Sequence, residues 1–234
     1  MQIKSDLYPL PPYKYEEYRK LSAYCEGNEN EIRDLIPSPL EYVTNIFEVS
    51  IINITKISGL KPYMEAALAV PVKYKNNFGG HVAYEWTSTD DALCCGREIW
   101  GYPKKLLDRA ELLEKENLIK GNVWRKGAKI LSINFQIDTK HINFEPPILQ
   151  PRLQLKIIPR ANGTGEDVKK IILIPVKGWL PYEATLLKTG KAAVSFEQSE
   201  SDPLYRLMPI RVLSGAFAVG SFILDYGEEL ADLK

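Results

Sequence analysis

Long hydrophobic runs are missing from this 234-residue chain. No stretch of about 18 apolar residues occurs, so nothing in it reads as a membrane-spanning helix. Met1-Gln2-Ile3-Lys4-Ser5-Asp6 also lacks the apolar centre of a secretory signal. An excess of charge is missing too. Lys plus Arg is 30 and Asp plus Glu is 30, which leaves no electrostatic footprint for nucleic acid or an anionic membrane. Cysteine is scarce. Cys25, Cys94 and Cys95 are odd in number, and two of them are adjacent. That is a poor disulfide framework, because neighbouring residues rarely reach bridging geometry. Buried, reduced thiols are the simpler expectation. Histidine is limited to His81 and His141, so none of the usual metal-ligand spacings arises. These absences predict a cytoplasmic protein with no metal and no nucleic-acid or membrane partner. Repeats, low-complexity tracts and long polar linkers are lacking as well, which predicts one domain over residues 1–234.

What is present is a set of short segments rich in Val, Ile, Tyr and Phe, punctuated by 16 prolines and 15 glycines. Strands are predicted at Tyr42–Ile54, Ala66–Tyr74, His81–Trp86, Lys129–Ile137, Leu153–Ile158, Lys170–Val176, Ala192–Phe196 and Ile210–Leu224. Turn signals such as Asn76–Gly80 and Asn162–Gly165 separate them. Helices are predicted over Asn28–Ile36, which Pro37 stops, and from Thr89 to about Trp100, with acids in its first turn. The pattern is mainly β and points to a closed or nearly closed sheet.

Alternation along the strands singles out two glutamates. In Tyr42–Ile54, Glu48 shares a face with Ile46, Ile52 and Ile54. If that face is internal, its carboxylate needs a partner or a proton. Glu65 shares a face with Ala67 and Ala69, whose small side chains leave room for a ligand. The same alternation also fits edge or surface glutamates.

Lys104 and Lys105 form a third feature. A Lys-Lys pair is ordinarily solvated, but this one lies among Ile99, Trp100, Tyr102, Leu106 and Leu107. Pro103 biases Tyr102 away from helix, and Gly101 suits a helix end. Lys104 is therefore expected just beyond the second helix. In an extended segment Lys104 and Lys105 project to opposite faces.

The run Gly96-Arg97-Glu98-Ile99-Trp100-Gly101-Tyr102-Pro103-Lys104-Lys105-Leu106 resembles the signature of acetoacetate decarboxylases. Further segments match that family in order: Pro12-Tyr13-Lys14-Tyr15, Ile36-Pro37-Ser38-Pro39-Leu40, Phe47-Glu48-Val49, Ser58-Gly59-Leu60, Tyr63, Glu65, Ala69-Val70-Pro71-Val72 and Leu155-Lys156-Ile157-Ile158-Pro159. The resemblance implies a cone-like closed antiparallel β barrel with an internal cavity and a few short helices. It implies a homo-oligomer that needs no cofactor and takes a small keto acid as substrate. Lys104 would be the Schiff-base nucleophile, Lys105 its neighbour, Glu48 and Glu65 the carboxylates beside it, and Tyr102 a pocket residue. Arg97 and Glu98 are expected to be structural.

A nucleophilic lysine must be neutral. An ordinary lysine, with a pKa of about 10.4, is neutral roughly once in a few thousand molecules at pH 7. Acetoacetate decarboxylase is the standing example of a lysine activated against that handicap. Two ammoniums about 5 Å apart at an effective dielectric of about 20 would repel by roughly 3 kcal/mol. With Lys105 directed to the other face, burial is expected to dominate and to lower the Lys104 pKa. Glu65 is the expected acid/base.

The resemblance fails at one point. The family arginine that engages the substrate carboxylate falls on Tyr18, and Arg19 is one residue out of phase. On a strand one residue is the other face, so either a bulge brings Arg19 in or that clamp is missing. Relatives without this arginine include Schiff-base aldolase-dehydratases acting on keto acids such as pyruvate with an aldehyde. A barrel that only binds a hydrophobic small molecule would need Lys104 solvated and unreactive.

Overall fold

The computed structural model describes residues 7–138, 144–177 and 185–234. His141 and the segment Met1–Asp6 lie outside them. The first part of the chain forms β1 (Tyr13–Glu26), α1 (Glu29–Asp34), β2 (Glu41–Tyr42), β3 (Ile46–Ile57), β4 (Tyr63–Tyr74), β5 (Asn77–Thr87) and α2 (Asp90–Cys95). A π-helical turn, Gly96–Trp100, then leads to β6 (Lys104–Leu106), β7 (Arg109–Lys115), β8 (Leu118–Arg125) and β9 (Ala128–Ile137). The last part supplies β10 (Arg152–Pro159), β11 (Glu166–Ile174), β12 (Val176–Lys177), β13 (Leu186–Ser195), β14 (Arg211–Leu224) and β15 (Glu228–Asp232).

Local chemistry explains the helix ends. Asn28 caps α1 by accepting from the backbone N–H of Asn30 at 2.9 Å. The second helix ends at Gly101, whose φ of 83° is left-handed and favours glycine.

The strands form one sheet in the order β15-β11-β10-β5-β4-β3-β1-β14-β13-β9-β8-β7, with β12, β2 and β6 added at its sides. The fold is mainly β, as expected, but the purely antiparallel pairing is corrected. Strand β5 pairs in parallel with both β6 and β10. Among the described residues no ladder joins β15 to β7, while β12, one residue beyond β11, pairs with β14. β7 and β8 pack across β3, and β9 across β1, so the sheet covers part of its own outer face.

Alternation divides the interior in two. Phe47, Val49 and Ile51 point outward from β3, into a cluster with Ile119, Val123, Ile133 and Phe135. Burial of each such side chain contributes roughly 1.5–3 kcal/mol. Glu48, Ser50, Ile52 and Ile54 point the other way and line the cavities described below. Some boundaries differ from the sequence expectation. Asn77–Gly80 belong to β5, and the tight turn sits one step earlier, at Lys75 with φ 53°. β1, β7 and β8 lie outside the expected strands, although Ile119 and Val123 of β8 are buried in alternation with exposed Lys120.

Candidate active site

Strand register builds the site. On the inner face, Ala67 of β4 lies opposite Glu85 of β5, and Glu85 opposite Lys104 of β6. On the outer face the corresponding row is Ala66, Trp86 and Lys105. The Lys-Lys pair is thus split between two environments by strand periodicity alone.

Lys104 is 7% exposed. Its Nζ donates to Glu65 Oε2 at 2.6 Å and lies 3.7 Å from Glu85 Oε1. The rings of Tyr63 and Tyr102 face it at 5.7 and 5.8 Å, which favours a cation at this position. The lysine stem is held by a close approach. A Cβ on Gly96 would stand 2.6 Å from Lys104 Cδ and Cε, so only glycine leaves room for the stem. The Lys104 carbonyl accepts from Arg97 Nη1 at 3.2 Å, while Glu98 accepts from Tyr8 at 2.6 Å.

These contacts correct the expected direction of the Lys104 pKa. Burial does push the ammonium down, but the carboxylates of Glu65 and Glu85 outweigh it and hold Lys104 well above the ordinary lysine range. Glu85 moves well above the carboxylate range. Its own burial is the largest cause, and the proximity of Glu65 adds to it against the opposing pull of Lys104. Burial also raises the Tyr102 phenol.

Lys105 turns away to Asp202 Oδ1 at 2.8 Å and the Ser201 carbonyl at 3.0 Å. Asp202 is fully buried, and it also accepts from Trp86 Nε1 at 2.9 Å and Arg125 Nη1 at 2.7 Å. Lys105 is therefore placed in a structural cluster on the outer face.

The Lys104 cavity holds about 60 Å³ and is lined by Glu65, Ala67, Glu85, Tyr102 and Arg152 among others. A second cavity of about 560 Å³ adjoins it, sharing Gln150 and Arg152 as wall residues. Glu48 belongs to this second cavity and is not brought to Lys104. It pairs with Lys20 at 2.8 Å, accepts from Ser22 Oγ at 2.8 Å and lies 3.9 Å from Arg152. Burial alone would raise the Glu48 carboxyl, but Lys20 and Arg152 bring it below the usual range.

Arg19 is not brought to either cavity. It pairs with Glu114 of β7 at 2.6 Å and lies over the Phe217 ring at 5.9 Å, on the outer face. A bulge does interrupt β1, but between Tyr15 and Tyr18. It seats both tyrosines inward and leaves Arg19 outside.

Sequence reasoning missed Glu85 and Arg152. Glu85 sat inside an expected strand, flanked by Tyr84 and Trp86. A register shift between β4 and β5 turns both Val82 and Glu85 inward, against simple alternation. Arg152 lay one residue before an expected strand and carried no local signal. Among the described residues no group of three or more His, Cys, Asp and Glu side chains could hold a metal ion, and no helix is long and apolar enough to cross a membrane.

A family model, acetoacetate decarboxylase, matches residues 4–233 of this chain. The acetoacetate decarboxylase of Burkholderia ambifaria is 22% identical over 240 residues, covering 99% of this chain and 94% of that protein. The crystal structure of acetoacetate decarboxylase from Legionella pneumophila superposes with a TM-score of 0.88 at 21% identity, over 100% of this chain and 92% of that one. The enduracididine biosynthesis enzyme MppR, complexed with the condensation product of pyruvate and imidazole 4-carboxaldehyde, gives 0.83 at 14% identity, over 99% and 94%. At these identities the solved structures establish a shared fold.

Proposed function

We propose, starting from the fact that this chain belongs to the acetoacetate decarboxylase family, that it is a Schiff-base lyase converting acetoacetate or a related β-keto acid to a ketone and carbon dioxide. The observation that carries this reading is the buried Lys104 amine, 2.6 Å from Glu65 in a cavity also lined by Arg152.

The steps follow from that geometry. The Lys104 ammonium passes a proton to Glu65, which gives a neutral amine beside a neutral acid. The amine attacks the ketone, and Glu65 returns the proton to the departing hydroxyl, leaving water and an iminium on Lys104. The iminium draws the electron pair of the bond to the carboxylate, and carbon dioxide leaves. Protonation of the enamine carbon and addition of water then release the ketone. The Tyr63 and Tyr102 rings would favour the iminium as they favour the ammonium. With Tyr18 in place of the family arginine and Arg19 outside, Arg152 of β10 is the cation positioned to orient the substrate carboxylate.

Replacing Arg152 with Met should raise KM for the keto acid about 10- to 150-fold, the scale of a lost charge-assisted hydrogen bond of about 1.5–3 kcal/mol. Trapping of acetone, which has no carboxylate, should change little. Equal losses for both ligands would remove this role.

A second reading is aldol condensation and dehydration, with pyruvate as the imine partner and an aldehyde as the other reactant. The adjoining cavity of about 560 Å³ favours it, since it offers space for a second molecule beside the lysine. Incubation with acetoacetate, borohydride reduction and peptide mass spectrometry separate the readings. An isopropyl group on Lys104 supports decarboxylation, and an adduct retaining the carboxylate supports the aldolase type. No adduct with acetoacetate or pyruvate on folded protein overturns both. The family likeness also carries the proposal of a homo-oligomer needing no cofactor, the lysine taking the place of one.

A further inference from the structure

Lys104 has more carboxylate around it than an ion pair needs. Glu65 already binds Nζ at 2.6 Å. Glu85, 4% exposed, contributes Oε1 at 3.7 Å, while its Oε2 is buried and has no hydrogen-bond partner among the described residues. Leaving such an oxygen unmatched costs about 1–3 kcal/mol, and more if charged. A structural carboxylate would be placed where donors meet it, as Asp202 is. The groups that act on Glu85 are Lys104, Glu65 and Arg152, with the Tyr102 phenol also close. One nearby ammonium is already matched by Glu65. A second carboxylate in the same dry space therefore keeps its proton, in line with the raised Glu85 carboxyl noted above.

We propose that Glu85 is a second catalytic acid, which protonates the enamine carbon after carbon dioxide has left. This rests on the reading of Lys104 as the imine-forming residue. The carbon to be protonated lies two bonds from Nζ, within reach of a carboxyl that the Glu85–Lys104 register holds beside that nitrogen. In this step the bond between the α-carbon and the carboxylate has broken, and its electron pair forms the enamine double bond. The Glu85 O–H bond breaks, and its proton joins the α-carbon through that electron pair. The iminium re-forms beside a Glu85 carboxylate, which its positive charge stabilises. Water then releases the ketone and returns Lys104 as the ammonium, and Glu85 takes its next proton from solvent. One proton is consumed per turnover, as decarboxylation of a carboxylate requires. The division of labour is that Glu65 handles protons at nitrogen and oxygen, and Glu85 handles the one at carbon.

Glu85→Gln tests this, because glutamine has the shape and donor capacity of the neutral acid but cannot release its proton. The probe is acetone in heavy water. Wild-type protein should give a borohydride-trapped isopropyl adduct on Lys104 and should exchange the acetone methyl hydrogens for deuterium through the enamine. In Glu85→Gln, trapping should stay within about two-fold, since Gln preserves the neutral form. Exchange and acetoacetate turnover should fall about 100- to 10,000-fold, the usual contribution of a positioned acid. Glu85→Asp should restore exchange in part. Undiminished exchange in Glu85→Gln overturns the proposal. So does a parallel loss of trapping and exchange in both variants, which would place Glu85 in imine formation or in the fold. Absence of trapping in the wild type would instead strike the Schiff-base reading itself.

Discussion

Replacing Lys104 with Arg is expected to abolish the borohydride-trapped adduct and to lower turnover on the order of 10,000-fold or more, the scale on which enzymes lose a covalent nucleophile. Arginine keeps the positive charge beside Glu65 and Glu85, so the fold should persist, but a guanidinium stays protonated and cannot form the imine. Lys104→Met gives the complementary test. It removes the cation from Glu65, whose side chain is 13% exposed. Methionine fills similar volume, so the packing around the site is largely kept. Its melting temperature should therefore drop by a few degrees, while its activity falls as far as that of the Arg variant. Adduct formation by either variant, or turnover within ten-fold of the wild type, would show that Lys104 is not the reacting group.

The largest effect on stability is expected at Asp202, which has no place in the chemistry. Asp202→Ala would strand Arg125 and the Trp86 N–H, both directed at its carboxylate at 2.7 and 2.9 Å. Breaking a buried pair from one side costs about 3–5 kcal/mol. For a chain of this size that corresponds to roughly 6–20 °C in Tm. Burial would push the Asp202 carboxyl up, but hydrogen bonds from Lys105, Trp86 and Arg125 hold it below the usual range. A depressed carboxyl contributes stability that is present above the unfolded value of about 3.9 and lost as pH falls through the folded one. The gap in Tm between wild type and variant should be full at neutral pH and should narrow as pH drops below about 4. A gap unchanged down to pH 2 would assign the loss to packing instead.

Lys105 belongs to the same prediction. Its side chain is 36% exposed and bonds Asp202 from the rim, so Lys105→Gln should cost only about 1 kcal/mol. The pH dependence of trapping at Lys104 should move by less than about half a unit, because Lys105 faces away. A displacement of about two units would mean that the two ammoniums interact strongly after all.

Features that depend on local chemistry were legible in the sequence. Asn28 as a helix cap and Gly101 as a helix end follow from backbone preferences of single residues. The opposite placement of Lys104 and Lys105 follows from the two-residue period of any strand. Glu65 among small alanines, and the inward run Glu48, Ser50, Ile52 and Ile54, follow from the same period within unbroken stretches of β4 and β3. Family likeness singled out Lys104 as the proposed nucleophile, where composition alone would have left a surface residue.

What the sequence did not determine depends on how one strand registers against another. The bulge between Tyr15 and Tyr18 keeps Arg19 outside, and the shift between β4 and β5 turns Glu85 inward. Each reverses a face by one residue, and a bulge is stabilised by the partner strand, not by its own side chains. Glu48 and Glu65 looked equivalent by alternation. They lie in different cavities because Lys20 and Arg152 meet the first and Lys104 the second. Arg152 reaches both cavities from β10, which joins β5 through the single parallel pairing of Arg152 with Gly80. Its place is a long-range contact, with no periodicity of its own to announce it. Sequence determined which residues could carry the chemistry, and the packing of distant strands selected which of them meet.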